Sequence, residues 1–225
     1  MVGNASNPFF PETVRAVTFD VGGTLVAPHP SVGAIYAEVL STHGFAADPA
    51  TVERDFRDAF RHHSETLPTS DRAFWERVFR DACASASIPA NFFTAAFEDA
   101  FAAFAEGRRW RVTDGAAELL GALKVHGYSL AVLSNSDSRF RTVLGDHGLD
   151  EYFDHCFLSG EVGFEKPDIR IFRHTEIALG LAPVQILHVG DSSSADYAGA
   201  TAAGWHAFLL DPPRTTLHSL LRHLA

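Results

Sequence analysis

The sequence predicts an α/β fold: a Rossmann-like parallel sheet with helices on both faces, and an all-helical segment inserted after the first strand. Three observations carry this. An apolar run, Val14 to Phe19, ends on Asp20 and a sharp turn, Val21-Gly22-Gly23-Thr24-Leu25. After Trp110, short apolar runs alternate with helical segments as far as the chain is given. Between the two, the hydrophobic periodicity is helical only. Strands that alternate with helices imply parallel pairing and crossover connections.

The first strand is expected at 14–20. Val26-Ala27-Pro28-His29-Pro30 is expected to be irregular, because two prolines interrupt it. Ser31 is placed to cap a helix that runs to His43 and stops at Gly44. Helices then follow to about residue 106. Val52, Phe56, Ala59 and Phe60 share one face, Trp75, Val78 and Phe79 another, and Phe93, Phe97, Phe101 and Phe104 a third. Leu67-Pro68-Thr69-Ser70 and Ile88-Pro89 separate these helices. From there the expected order is a helix capped by Asp114 and ended by Gly127, a strand at 128–134, a helix at 138–147 and a strand at 153–159. A helix at 168–180, a strand at 185–190, a helix at 194–203, a strand at 205–210 and a helix at 215–224 complete it. The division that follows is a core of residues 12–27 and 107–225 and a helical insertion of 28–106.

Composition narrows the function classes. Apolar residues make up 46% of the 225, enough for a sizeable core, and the formal net charge is −10. An acidic chain without a basic block is a poor partner for nucleic acid or an anionic membrane, so small-molecule chemistry is expected. Cys83 and Cys156 read as reduced thiols of a cytoplasmic protein, and no apolar run approaches a membrane span. Residues 1–11 lack the basic and apolar regions of a signal peptide and read as a tail. Nothing in the pattern separates a monomer from a homodimer.

A strand that ends on an acid and turns puts that acid at the carboxyl edge of the sheet, where ligands bind in open α/β folds. Three further sites fall at strand ends or in the loops after them. One is Ser134-Asn135, closing the run from Leu130. One is Lys166-Pro167-Asp168, which holds one of only two lysines, the other being Lys124. The third is Gly190-Asp191, with Asp196 five residues on at a helix start. Each has a plain alternative. Ser-Asn is a common turn, Lys166 could be a solvated cation, Asp191 an Asx-turn and Asp196 an acid on a helix dipole.

Taken together, Asp-x-x-Gly-Thr-Leu, a strand ending Ser-Asn, Lys-Pro-Asp and Gly-Asp-x-x-x-x-Asp resemble the four motifs of the haloacid dehalogenase-like (HAD) hydrolases. The insertion between the first and second motifs resembles the family's C1-type cap. The flanking text, Trp110-Arg111-Val112-Thr113-Asp114-Gly115 and Asp168-Ile169-Arg170-Ile171-Phe172, resembles the branch of HAD-like hydrolase domain-containing proteins.

The resemblance implies Mg²⁺-dependent phosphoryl transfer from a small phosphorylated substrate. Asp20 would be the nucleophile and a metal ligand, with Asp191 and the Gly22 carbonyl completing the protein's metal donors. Ser134, Asn135 and Lys166 would hold the phosphate, Lys166 would offset charge, and Thr24 and Asp196 would support the site. Converging carboxylates need a cation between them, and an all-oxygen donor set suits Mg²⁺.

One departure stands out. The family's first motif reads Asp-x-Asp-Gly-Thr, and Gly22 occupies the place of the second aspartate, which protonates the leaving group and activates water. Positioned acid–base catalysis is worth roughly 10²–10⁴-fold. His29 is a candidate substitute, although a histidine between two prolines also reads as a loop residue.

Weak or atypical phosphatase activity, another HAD reaction, and a non-catalytic metal- or phosphate-binding role therefore all stay open. Phosphonatase chemistry needs a cap lysine, and 28–106 contains none. A dehalogenase usually carries a bulky aromatic where Gly22 stands. Tyr36, His62, His63, Arg72, Trp75 and Arg108 are candidate lid groups, each with a packing or surface role as the alternative. His62 and His63, as neighbours on a helix, are expected to point apart.

Overall fold

The computed structural model describes residues 11–66 and 68–223. Residues 1–10 of the tail expected over 1–11, Leu67 of the helix-separating turn, and Leu224 of the last helix lie outside them.

Five parallel strands form the main sheet: β1 (Ala16–Phe19), β4 (Ser129–Ser134), β5 (His155–Leu158), β6 (Ile186–Gly190) and β7 (His206–Leu209). Their order is β5-β4-β1-β6-β7, with β1 in the centre. The register sets Phe19 opposite Val132 on β4 and Val189 on β6. β1, β4 and β6 are buried along almost their whole length, as strands covered on both faces must be. Flanking them are α5 (Ala116–Val125), α7 (Ser159–Val162), α8 (Ile169–Leu179), α9 (Gly199–Ala202) and α10 (Leu217–Leu221). Phe172 and Trp205, rings 5.2 Å apart and perpendicular, anchor a core cluster with Leu133, Phe157, Ile171 and Ile186.

The described residues divide into two compact units. One holds the sheet: residues up to Ala27, Val112–Asn135, and those from Gly148 onward. The other comprises Pro28–Arg111 together with Ser136–His147. The second contains α1 (Val32–Thr42), α2 (Pro49–Ser64), α3 (Arg72–Ala82), α4 (Ala90–Ala103) and α6 (Arg139–Asp146). Its helices start on side-chain caps. Ser31 Oγ accepts from Ala34 N–H at 3.1 Å, Asp48 from Thr51 N–H at 3.0 Å, and Asp71 from Ala73 N–H at 2.8 Å. The three aromatic stripes turn inward: Tyr36 meets Phe79 and Phe104 edge to face at 5.0 and 5.7 Å, and Phe93 stacks on Phe97. Arg109, 7% exposed, holds both Glu38 oxygens at 2.6 Å.

Three expectations are corrected. Val26–Pro28 is not irregular: it is a strand, β2, paired with β3 (Trp110–Val112) in a two-stranded ribbon. Pro28 is tolerated because it closes an edge strand, where a missing N–H breaks no ladder. Asp114 does not cap α5. Gly115, at φ 83°, precedes the helix with no side-chain cap, and Ala116 N–H turns back to the Thr113 carbonyl. The helix expected from Ser194 begins as a π-turn, Ser193–Ala198, before α9. Among the described residues, no helix is long and apolar enough to cross a membrane.

Candidate active site

Asp20 follows β1 at the carboxyl edge of the sheet, and its N–H donates to Val189 of β6 at 2.9 Å. The next residues wind round one carbonyl: that of Val21 accepts from the N–H groups of Thr24, Leu25 and Val26 at 3.2, 2.8 and 3.0 Å. Gly23 makes the turn at φ 85°, and a Cβ there would stand 2.3 Å from Asp191 Oδ2. Backbone conformation and space therefore both demand glycine at 23. Gly22 is not among the glycines at positive φ, so its φ does not itself demand glycine.

Lys166 is the hub. It is 2% exposed, and its ammonium donates to Asp20 Oδ1 at 3.0 Å, Asp196 Oδ1 at 2.6 Å and the Leu133 carbonyl at 2.6 Å. Asn135 grips the same residue by its backbone. Its Nδ2 donates to the Lys166 carbonyl, and its Oδ1 accepts from the Lys166 N–H, both at 2.7 Å. Asn135, expected to bind phosphate, thus spends its carboxamide on holding the lysine loop. Asp168 caps α8 by accepting from Arg170 N–H at 2.9 Å, which accounts for the acid in Lys-Pro-Asp.

Asp196 is 2% exposed and accepts three hydrogen bonds. Its Oδ1 takes Lys166 and His188 Nε2, at 2.6 and 3.0 Å, and its Oδ2 takes the Ser192 N–H at 2.8 Å. Gly190 makes room: a Cβ there would lie 2.2 Å from Asp196 Cγ. The π-turn sets Asp196 at this depth, with the N–H groups of both Asp196 and Tyr197 reaching the Ser192 carbonyl at 3.1 Å. Such turns often occur at functional sites.

His188 was missed as a site residue. Fully buried on β6, it is wired at both ends, with Nδ1 2.8 Å from Thr18 Oγ1 and Nε2 on Asp196. Those partners assign the proton to Nε2. The available signal was a lone histidine inside an otherwise apolar strand. Burial and the Lys166 charge push its pKa down, so the ring is neutral.

The charges divide unequally. Burial raises the Asp20 carboxyl above its ordinary range, against the opposing charge of Lys166 and hydrogen bonds from Lys166 and Ser134. Burial also works to raise Asp196, but the Lys166 charge and the His188 hydrogen bond outweigh it and hold that carboxyl well below the usual range. For Lys166, burial is outweighed by the two acids, and its pKa rises. Asp191, nearer solvent, is pushed up to about 6 by burial and by the Asp20 charge, and accepts from Thr24 Oγ1 at 3.4 Å.

Asp20, Asp191 and Asp196 each offer an oxygen, and these lie within 4.8 Å of one another. Hard oxygen donors gathered this closely fit a divalent cation such as Mg²⁺. Asp196 already accepts three hydrogen bonds, which leaves Asp20 and Asp191 the more available acids. Asp20, Thr24, Ser134, Asn135, Lys166, Asp191 and Asp196 all fall in the sheet unit, beside Gly22.

The other motif-derived candidates lie in the helical unit. His29 is exposed, and Arg72 pairs with Glu98. His63 pairs with Asp81 at 2.7 Å, and Arg108 pairs with Glu106 at 2.5 Å. The His62 and His63 rings meet edge to face at 5.0 Å rather than diverging. Among the described residues, the acid trio alone gathers three metal-ligating side chains.

Comparison with known proteins finds relatives over most of the chain. A family model described as haloacid dehalogenase-like hydrolase matches residues 14–204. Haloacid dehalogenase-like hydrolase domain-containing protein 3 of Homo sapiens is 34% identical over 209 residues, covering 89% of this chain and 83% of that protein. A phosphoserine phosphatase of Thermus thermophilus is 38% identical over 150 residues, 65% of this chain and 58% of that one. Among solved structures, the Bacillus subtilis HAD-hydrolase YfnB, described as bound to magnesium, superposes with a TM-score of 0.78 at 19% identity. That match covers 94% of this chain and 98% of YfnB.

Proposed function

Because the chain belongs to the haloacid dehalogenase-like hydrolase family, we propose that it is a Mg²⁺-dependent phosphatase acting through an aspartyl-phosphate on Asp20, with Gly22 limiting its substrates to those with good leaving groups. The observation that supports this most directly is the Lys166 hub, one buried ammonium set between a strand-end acid and a fixed second acid.

In this reading Asp20 attacks phosphorus in line. An Asp20 oxygen–phosphorus bond forms, the bond to the leaving oxygen breaks, and that oxygen departs with the electron pair. Lys166 offsets charge on Asp20 and on the transferring group. Ser134 and the amides near it take phosphate oxygens. Asn135 holds the Lys166 backbone in register, and Asp196 and His188 fix the ammonium. Mg²⁺, when bound, supplies charge neutralisation between Asp20, Asp191 and the phosphoryl group. Asp20, Asp191 and the Gly22 carbonyl would hold it, and that carbonyl accepts no hydrogen bond from the described residues. We assign substrate selection to the helical unit, as a cap.

Gly22 puts no acid beside the leaving oxygen. Leaving groups that depart as stable anions, aryl or acyl phosphates, are therefore favoured over alkyl phosphates. Gly22 also favours a second reading, a protein that binds metal and phosphate without turnover. The test is release of p-nitrophenol from p-nitrophenyl phosphate with and without Mg²⁺. Metal-dependent release by the wild-type protein that falls to background in Asp20→Asn supports the phosphatase. Release that survives in Asp20→Asn refutes it.

A further inference from the structure

The helical unit contains a cavity of about 90 Å³ that opens to solvent. Its walls include Tyr36, Trp75, Phe101, Phe104, Trp110 and Arg139. The rings already meet in edge-on pairs, Tyr36 with Phe104 at 5.7 Å and Phe104 with Trp110 at 5.9 Å. Aromatic rings prefer such offset and edge-to-face contacts, so a flat ring extends this array in a way a puckered ring does not.

Two polar groups interrupt the aromatic wall. Tyr36 is 4% exposed, and its hydroxyl has no hydrogen-bond partner among the described residues. The hydroxyl is not among the fully buried polar atoms left without a partner, so it is open to solvent and available to a bound group. The Arg139 guanidinium lies 3.5 Å over the Phe101 ring centre. Nε and one Nη bind Asp137 at 2.9 and 2.8 Å, and the other Nη donates to the Phe101 carbonyl at 3.0 Å. Three of its five N–H groups are thereby used, and two remain to donate. Tyr36 and Arg139 both line the cavity.

We propose that this cavity is a binding site for a planar aromatic group bearing an acceptor oxygen, with the ring held among Trp75, Phe104 and Trp110 and the oxygen taken by the Tyr36 hydroxyl and Arg139. The site belongs to the helical unit alone and does not depend on turnover at Asp20. Asp137 neutralises Arg139, so the cavity selects shape and an acceptor rather than net negative charge.

The test uses benzoate on the full chain, followed by titration calorimetry and by the fluorescence of Trp75 and Trp110, with cyclohexanecarboxylate as the non-planar control. Saturable binding of one benzoate, with cyclohexanecarboxylate at least several-fold weaker, is expected. Tyr36→Phe keeps the ring and removes the hydroxyl, and loss of one hydrogen bond should weaken benzoate about 3- to 10-fold. Phe104→Leu should erase the preference for the planar acid. No saturation up to roughly 10 mM, where binding is weaker than the millimolar scale, overturns the proposal. Equal affinity for the two acids, or an unchanged affinity in Tyr36→Phe, does so as well. Because no step reads catalysis, failure here leaves the phosphatase reading standing, and failure at Asp20 leaves this site standing.

Discussion

Replacing Lys166 by methionine is the sharpest perturbation of the site, because the residue joins everything else. Its side chain is 1% exposed, and it neutralises carboxylates that are 12% and 3% exposed. Methionine keeps much of the length and apolar stem and removes the charge and three donated hydrogen bonds. Asp196 retains His188 and the Ser192 N–H, whereas Asp20 loses its cation. Breaking a buried ion pair by deleting one member costs about 3–5 kcal/mol. The lower part of that range is expected here, because Asp20 is already pushed toward protonation and can neutralise itself. For a chain of this size each kcal/mol moves the melting temperature by roughly 2–4 °C, so a fall of about 6–15 °C should follow. Urea denaturation of both proteins in chelator at neutral pH measures it. The double variant Lys166→Met/Asp20→Asn should recover part of the loss, since no unpaired charge is left behind. A cost below about 1 kcal/mol for Lys166→Met would refute the reasoning, because the ammonium could not then be offsetting two buried acids.

Two other expectations follow from the charges. Asp191 is pushed up to about 6, so the folded protein holds its proton more tightly than the unfolded chain does. Its contribution is fully present below about pH 4 and is lost as pH rises through about 6. Asp20, also raised, acts in the same direction, whereas Asp196 is depressed and acts only at lower pH. In chelator, thermal stability should therefore fall between pH 4 and 7, and Asp191→Asn should flatten that slope; a rise over the window would contradict it. Burial pushes the Cys83 thiol up to about 12. It should react with a thiol reagent at neutral pH only after unfolding, and rapid labelling of Cys83 in the native protein would count against this environment.

The acids at strand ends were legible because a carboxylate after an apolar run has few places to go in a parallel sheet except its carboxyl edge. Asp20 and Asp191 show this directly. The wiring among them was not legible. Asn135 grips Lys166 from 31 residues away, and His188 reaches Thr18 across 170 residues, contacts that no local pattern encodes. The helical insertion was visible in its aromatic stripes, but the grouping of α6 with it was not, because α6 lies in sequence among the sheet's own helices. β2 was hidden by Pro28, whose penalty vanishes at the edge of a two-stranded ribbon.

Whether the Asp20 site is a hydrolase that lacks its leaving-group acid can be tested in one comparison: kcat/KM of wild type and Gly22→Asp on an aryl and an alkyl phosphate with Mg²⁺. Gly22 is free of the positive φ that would forbid aspartate. The account predicts measurable wild-type turnover of the aryl ester. It also predicts a gain in Gly22→Asp concentrated on the alkyl ester, up to roughly 10²–10⁴-fold. Wild-type protein inert on both esters, or a variant that improves neither, would contradict it.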